Sequence, residues 1–174
     1  SEDAVNIISS NFLIENSFFE DNNFDAIDVD FGKGIIKNSH FSNIKNDAVD
    51  LSESDIYIEN LLLSNIGDKL VSAGENTYVK INKIKATNSY IGIASKDVSE
   101  SIVKNIDFVE VEIPFASYQK KKSYNYGLLK IDEPINLNKY TMKSIKDPNS
   151  KIYINGEKIK KYEENVIKIV TKNN

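Results

Sequence analysis

Short runs of alternating hydrophobic and polar residues recur along the chain at a spacing of 22 residues. Segments 3–7, 25–29 and 47–51 are copies of one motif, an Asp-Ala pair followed by an apolar, polar, apolar run. Period-two alternation is typical of a β-strand, and a constant repeat indicates a solenoid of stacked coils. The pattern predicts six equivalent, inward-facing positions on six successive coils: Val5, Ile27, Val49, Val71, Ile93 and Phe115.

A second strand runs in step with the first. Ile14, Ile36 and Ile58 are each followed two positions later by an asparagine, and a copy shifted by one residue follows at 79–82. A third, shorter strand is predicted around Phe18, Phe41, Leu63 and Ile84. We therefore predict an all-β, right-handed parallel β-helix of about six coils, in which stacked Asn16, Asn38 and Asn60 form an asparagine ladder. His40, placed at the position of Phe18 on the next coil, is expected to be buried or half-buried.

The repeat fades after Gly127, which divides the chain into coils at 1–127 and a C-terminal part at 128–174. The second part is predicted to hold an irregular last rung and a β cap, with a hairpin whose tip is Asn155-Gly156 and a strand at 166–170. The chain opens within a coil, so we expect further coils or a cap before Ser1. Self-association through the solenoid ends, or through such coils, is a further expectation.

Composition narrows the classes of partner and of chemistry. The net charge is −4 with 28% charged residues, which argues against nucleic acid as the main partner. No run approaches the roughly 20 apolar residues of a membrane span. Cysteine and arginine are both absent, which excludes disulfides, thiolate chemistry and any guanidinium-dependent mechanism. We expect a secreted or cell-surface protein.

The candidate chemistry lies in an acidic stripe. If Ile27 and Val29 face the core, Asp28 and Asp30 face outward, and Asp50 lies one coil above Asp28. Lys96 is equivalent to Asp30 three coils later.

Three interpretations of this stripe remain open. It is a solvated acidic face, a calcium site made by Asp28, Asp30 and Asp50, or a catalytic group made by Asp28, Asp50, Asp68 and Lys96. In the last case a lysine with a pKa lowered by burial would serve as a base for uronate elimination.

Two segments resemble part of the pectin-lyase-like superfamily, and within it the polygalacturonases. They are 46–50, Asn-Asp-Ala-Val-Asp, and 67–74, Gly-Asp-Lys-Leu-Val-Ser-Ala-Gly. Asp47 and Asp68 match acidic positions of that family, Lys69 replaces a second Asp, and the family's histidine and arginine motifs have no counterpart. The runs also resemble those of uncharacterised bacterial β-helix proteins. The resemblance implies a β-helix over about residues 3–127, with only Asp47 and Asp68 matching the family's chemistry.

These observations together favour a β-helix that engages a carbohydrate polymer through its long exposed sheet, as a binding protein or scaffold. One alternative is a polysaccharide lyase or glycoside hydrolase acting on an acidic polysaccharide. Another is the structural shaft of an adhesin or phage tail protein.

Overall fold

The computed structural model describes residues 3–138 and 143–171 and is a β-solenoid of about seven parallel coils. The predicted β-helix is confirmed, and the stack is longer than the predicted six coils because three strands beyond residue 127 continue it in parallel pairing. The strands are β1 Val5–Ile8, β2 Asn11–Glu15, β3 Phe18–Glu20, β4 Ile27–Asp30, β5 Lys33–Ile44, β6 Val49–Ser52, β7 Asp55–Ile66, β8 Lys69–Gly74, β9 Tyr78–Lys96, β10 Glu100–Tyr118, β11 Leu128–Leu137, β12 Ile145–Lys146, β13 Lys151–Ile154 and β14 Glu157–Lys158; the helix α1 is Val166–Val170.

Each coil contributes to three faces, which we name by their strands. The first face holds β1, β4, β6, β8, the ends of β9 and β10, and β12. The second holds β2, the first halves of β5, β7, β9, β10 and β11, and β13. The third holds β3 and the later parts of β5, β7, β9, β10 and β11. Every pairing between successive coils is parallel, so equivalent positions of the repeat form columns along the solenoid axis.

The corners between faces are made by residues in the left-handed region. Asn16, Asn38 and Asn60 have φ of 51°, 50° and 54°, a conformation that asparagine tolerates better than most residues. The Asn60 amide donates to the Asn38 side chain at 2.8 Å, which confirms that part of the asparagine ladder. A second ladder at the next corner joins Asn65 to Asn43 at 2.9 Å.

The core lies inside the coils and consists of columns of branched aliphatic side chains. The register joins Val5 to Ile27, Ile27 to Val49, and Val71 to Ile93, as the repeat predicts. Ile27 and Val49 are fully buried. The shift at 79–82 is also explained, because Asp55 pairs with Tyr78 at an offset of 23 residues where the coils before it use 22.

Two predictions for the C-terminal part are tested. The hairpin is confirmed, since β13 and β14 pair antiparallel around Asn155 and Gly156, both with positive φ. β13 also pairs in parallel with β11 and so forms a rung of the solenoid. The prediction of a strand at 166–170 is wrong, because this segment forms the helix α1. Its Val166 and Val170, four positions apart and thus on one helical face, are buried in a second apolar cluster, with Tyr90, Ala94 and others of the first face.

The prediction for His40 is also wrong, because its side chain is exposed. His40 pairs with Phe18 below and Leu62 above, and all three side chains point outward. The inward position belongs to Phe41, which is buried and stacks on Phe19 with ring centroids 4.9 Å apart. The left-handed corner at residue 38 resets the alternation, so the inward phase of the second strand does not carry into the third.

Candidate functional site

The acidic stripe begins on the outer side of the first face. Asp28 pairs in register with Asp50 on the next coil, and both are half-buried. Burial, followed by repulsion from Asp30 and Asp50, raises the pKa of Asp28 to about 6. Among the residues that the structure describes, no three acidic or histidine side chains come together as a metal site. Calcium binding by Asp28, Asp30 and Asp50 therefore stays a prediction.

A column of aspartates runs beside this stripe and explains the Asp-Ala motif of the repeat. The backbone N–H of each column member donates to the aspartate one coil below: Asp25 to Asp3 at 3.2 Å, Asp47 to Asp25 at 2.7 Å and Lys69 to Asp47 at 2.9 Å. The repeating aspartate thus satisfies a backbone donor that the strand ladder leaves free. The column ends at Lys69, whose ammonium group supplies a positive charge.

Lys69 forms a buried ion-pair cluster with the two acidic residues that carry the family resemblance. Its Nζ lies 3.4 Å from an Asp47 oxygen and also contacts Asp68. All three side chains are almost fully buried. Burial alone would lower the pKa of Lys69, but the attraction of Asp47, Tyr118 and Asp68 outweighs it and the pKa is raised. Asp47 and Asp68 therefore hold a lysine in place.

Lys96 is the second buried lysine, and it covers the outer surface of the coil below. Its side chain passes over Gly74, where an added Cβ would lie 3.3 Å from the Lys96 Cε, and its Nζ lies 3.8 Å from Asp50. Burial opposes the charge, but the attraction of Asp50, Tyr118 and Asp47 leaves the pKa of Lys96 raised. A general base needs the opposite shift, so the expectation of a lysine with a lowered pKa is wrong for both Lys69 and Lys96.

The predicted stripe is therefore divided into two parts. Asp28, Asp30 and Asp50 remain partly accessible, whereas Asp68 and Lys96 are buried. The sequence pattern placed these residues on the outer side of one sheet, and the observed strand register agrees with the 22-residue repeat. What it could not predict is that later segments fold back over the upper coils.

One of these segments is the strap, residues 119–127. The backbone N–H groups of Lys120 and Lys121 both donate to Asp97, at 2.7 and 2.9 Å. The Lys121 ammonium pairs with Glu75, whose pKa is lowered: burial would raise it, but bonds from Lys121 and Ser52 prevail. These contacts tie the strap to two successive coils below it.

A different exposed surface lies on the second face, and the sequence analysis did not single it out. Leu13, Ile35 and Tyr57 are in register on three successive coils and are 54%, 40% and 36% exposed. We call them the apolar column. The 22-residue spacing of Leu13, Ile35 and Tyr57 is visible in the sequence, but their exposure could be recognised only from the structure.

Polar side chains border the apolar column on both sides. On one side Lys33 pairs with Asp55 at 3.2 Å, and on the other Lys37 pairs with Glu15 at 3.1 Å. Further along the axis the Lys80 ammonium lies 5.4 Å from the centre of the Tyr78 ring. A shallow groove contains parts of both sets, including Lys33, Ile35, Asp55, Tyr57, Tyr78 and Lys80.

Comparisons of the chain with protein-family models, with curated proteins and with solved structures gave no match. The resemblance to pectin-lyase-like proteins therefore stays a prediction. The described residues contain no helix with the length and apolar character needed to cross a bilayer.

Proposed function

We propose that this protein binds a carbohydrate polymer along its second face, parallel to the solenoid axis. The observation that carries the proposal is the apolar column, in which Leu13, Ile35 and Tyr57 are exposed at one register on three successive coils. Coils repeat at about 4.8 Å, so the column is a continuous apolar strip along which a chain of rings can lie. Such a strip suits the C–H faces of sugar rings.

The borders of the strip supply the hydrogen bonds that sugar hydroxyl groups require. Lys33 and Asp55 on one side, and Glu15 and Lys37 on the other, are held as ion pairs across neighbouring coils. Each ion pair fixes a donor beside an acceptor, and all four side chains remain at least partly exposed. A site with an apolar centre and oriented polar edges is the usual construction of a small-molecule or glycan site.

Binding is favoured over catalysis because the candidate catalytic residues do not share an open site. Asp68 and Lys96 are buried. The ion pair of Lys69 with Asp68 and that of Lys96 with Asp50 hold both lysines in the charged form. The second face has an accessible surface with matching chemistry, whereas the first face is covered at its upper coils by the second apolar cluster.

Affinity electrophoresis through gels containing neutral and acidic polysaccharides tests this proposal. We expect at least one polymer to retard the protein, and Tyr57→Ala to weaken the interaction about fivefold to tenfold. Val109→Ala is the matched control, because Val109 is also 36% exposed but lies on the third face. Absence of retardation by every polymer would refute the proposal, as would equal losses in the two variants.

A further inference from the structure

The third face carries a second exposed column whose chemistry differs from that of the second face. Phe18, His40, Leu62 and Lys85 are in register on four successive coils. Phe18 is 69% exposed and Leu62 is 42% exposed, and the His40 ring meets the Phe18 ring edge-on at 4.8 Å. Phe18 and Leu62, with the His40 ring between them, form an exposed and largely apolar strip, and exposed apolar patches mark protein interaction surfaces.

This column has no tyrosine hydroxyl and no bordering ion pair between its first three coils. Its neighbour on the same face is instead a column of Glu20, Ser42, Ser64 and Thr87. The two columns together form a shallow groove with charge at its two ends: Glu20 on the first coil and Lys85 on the fourth. The groove thus has Glu20 at one end and Lys85, which also pairs with Asp107 one coil above it, at the other; the side chains of the two columns between these ends are His40, Leu62, Ser42 and Ser64.

Opposite charges at the two ends make the surface complementary to itself when it is turned end for end. We infer that the third face docks against the same face of a second copy of this chain, with the two solenoid axes antiparallel. The first coil of one copy then faces the fourth coil of the other. Glu20 approaches Lys85 of the second copy at both ends of the interface, as two-fold symmetry requires.

The middle of the interface is consistent with the same arrangement. His40 on the second coil faces Leu62 on the third coil of the other copy, and Ser42 faces Ser64, which allows their hydroxyl groups to exchange hydrogen bonds. The stem of Lys85 covers the exposed Phe18 ring, which places the ammonium near an aromatic face. Lys85 lies 3.4 Å from Asp107 of its own chain and its side chain is 59% exposed, so the ammonium has free donors for Glu20.

A parallel alignment of the two copies is disfavoured by the same charges. Equal coils would then lie at one level, so Glu20 would meet Glu20 and Lys85 would meet Lys85. Like charges at an interface select against the wrong partner geometry. The inference does not depend on the proposed carbohydrate binding, which uses the second face.

Sedimentation velocity of the 174-residue chain from low to high micromolar concentration tests the interface. We expect a concentration-dependent dimer, and we expect Glu20→Lys and Lys85→Glu each to weaken it about tenfold or more, because each reversal creates two repulsive pairs. The double variant Glu20→Lys/Lys85→Glu restores the dimer. An equimolar mixture of the two single variants forms mixed dimers, since both charge pairs of the mixed dimer are complementary whereas those of each homodimer are repulsive.

The control is Lys33→Glu, a charge reversal of the same type on the second face, which should leave dimerisation unchanged. Circular dichroism verifies that every variant is folded. The inference is overturned if the wild-type chain stays monomeric at all concentrations. It is equally overturned if neither charge reversal weakens dimerisation, or if the double variant dimerises as weakly as the single variants.

Discussion

Replacing Asp28 by asparagine should stabilise the protein at neutral pH and have no effect at acidic pH. Burial and then the nearby carboxylates, Asp30 and Asp50 foremost, raise the pKa of Asp28 from 3.8 to about 6. Asparagine has the same shape but no charge. Its side-chain oxygen can still accept the hydrogen bond that the Asn6 amide donates at 3.1 Å.

The magnitude follows from linkage between proton binding and folding. A pKa raised by about 2 units corresponds to about 3 kcal/mol, which the native state loses when Asp28 ionises. Asp28 is only half-buried, so solvent screening reduces this to about 1 kcal/mol. The folded-state pKa lies above the unfolded-state value. The favourable contribution of the protonated acid is therefore fully present below pH 3.8 and is lost as the pH rises through about 6.

Urea denaturation of the wild-type protein and of Asp28→Asn at several pH values between about 4 and 7.5 measures this effect. The two proteins should have equal stability near pH 4, and the variant should be more stable by about 1 kcal/mol near pH 7.5. Asp55→Asn is the control, since Asp55 is an exposed aspartate paired with Lys33 and should change stability by less than about 0.5 kcal/mol. A destabilised Asp28→Asn variant, or a stability difference independent of pH, would show that the Asp28 charge does not destabilise the native state.

Three further predictions concern the buried cluster, the register of the third face and the corners. Lys69→Met leaves two buried carboxylates without their cation and should cost about 3–5 kcal/mol in urea denaturation, whereas Lys33→Met at an exposed pair should cost less than about 0.5. Phe41→Ala should cost about 3–5 kcal/mol by opening a cavity, and His40→Ala under about 1; the reverse order would contradict the register described above. Asn60→Ala should raise the rate of thermal unfolding and cost about 1–2 kcal/mol, because alanine is strained at a φ of 54° and lacks the ladder amide. Asn60→Gly should retain most of the stability that Asn60→Ala loses to backbone strain, because glycine adopts a positive φ without a steric penalty.

On the first face, the local sequence pattern predicts the direction of the candidate side chains but not their burial. The outward direction of Asp28, Asp30 and Asp50 could be predicted, because within one strand the side chains alternate strictly. The burial of Lys96 could not, because a lysine on an outward position is ordinarily solvated. Its burial depends on Tyr118 one coil above it and on Gly74 below, and on the apolar cluster that α1 builds over the same face.

The repeat alone predicts the solenoid, the coil length and the inward columns, since each coil buries its apolar side only by stacking an equivalent residue on the next. Two features depended on the tertiary structure. The phase of the third strand depended on the left-handed corner at Asn38, where alternation restarts and places Phe41 inward and His40 outward. The β-branched residues of segment 166–170 favour a strand, which is why the sequence predicts one there. Its helical form was decided by the apolar surface around Tyr90 and Ala94, which receives two side chains four positions apart.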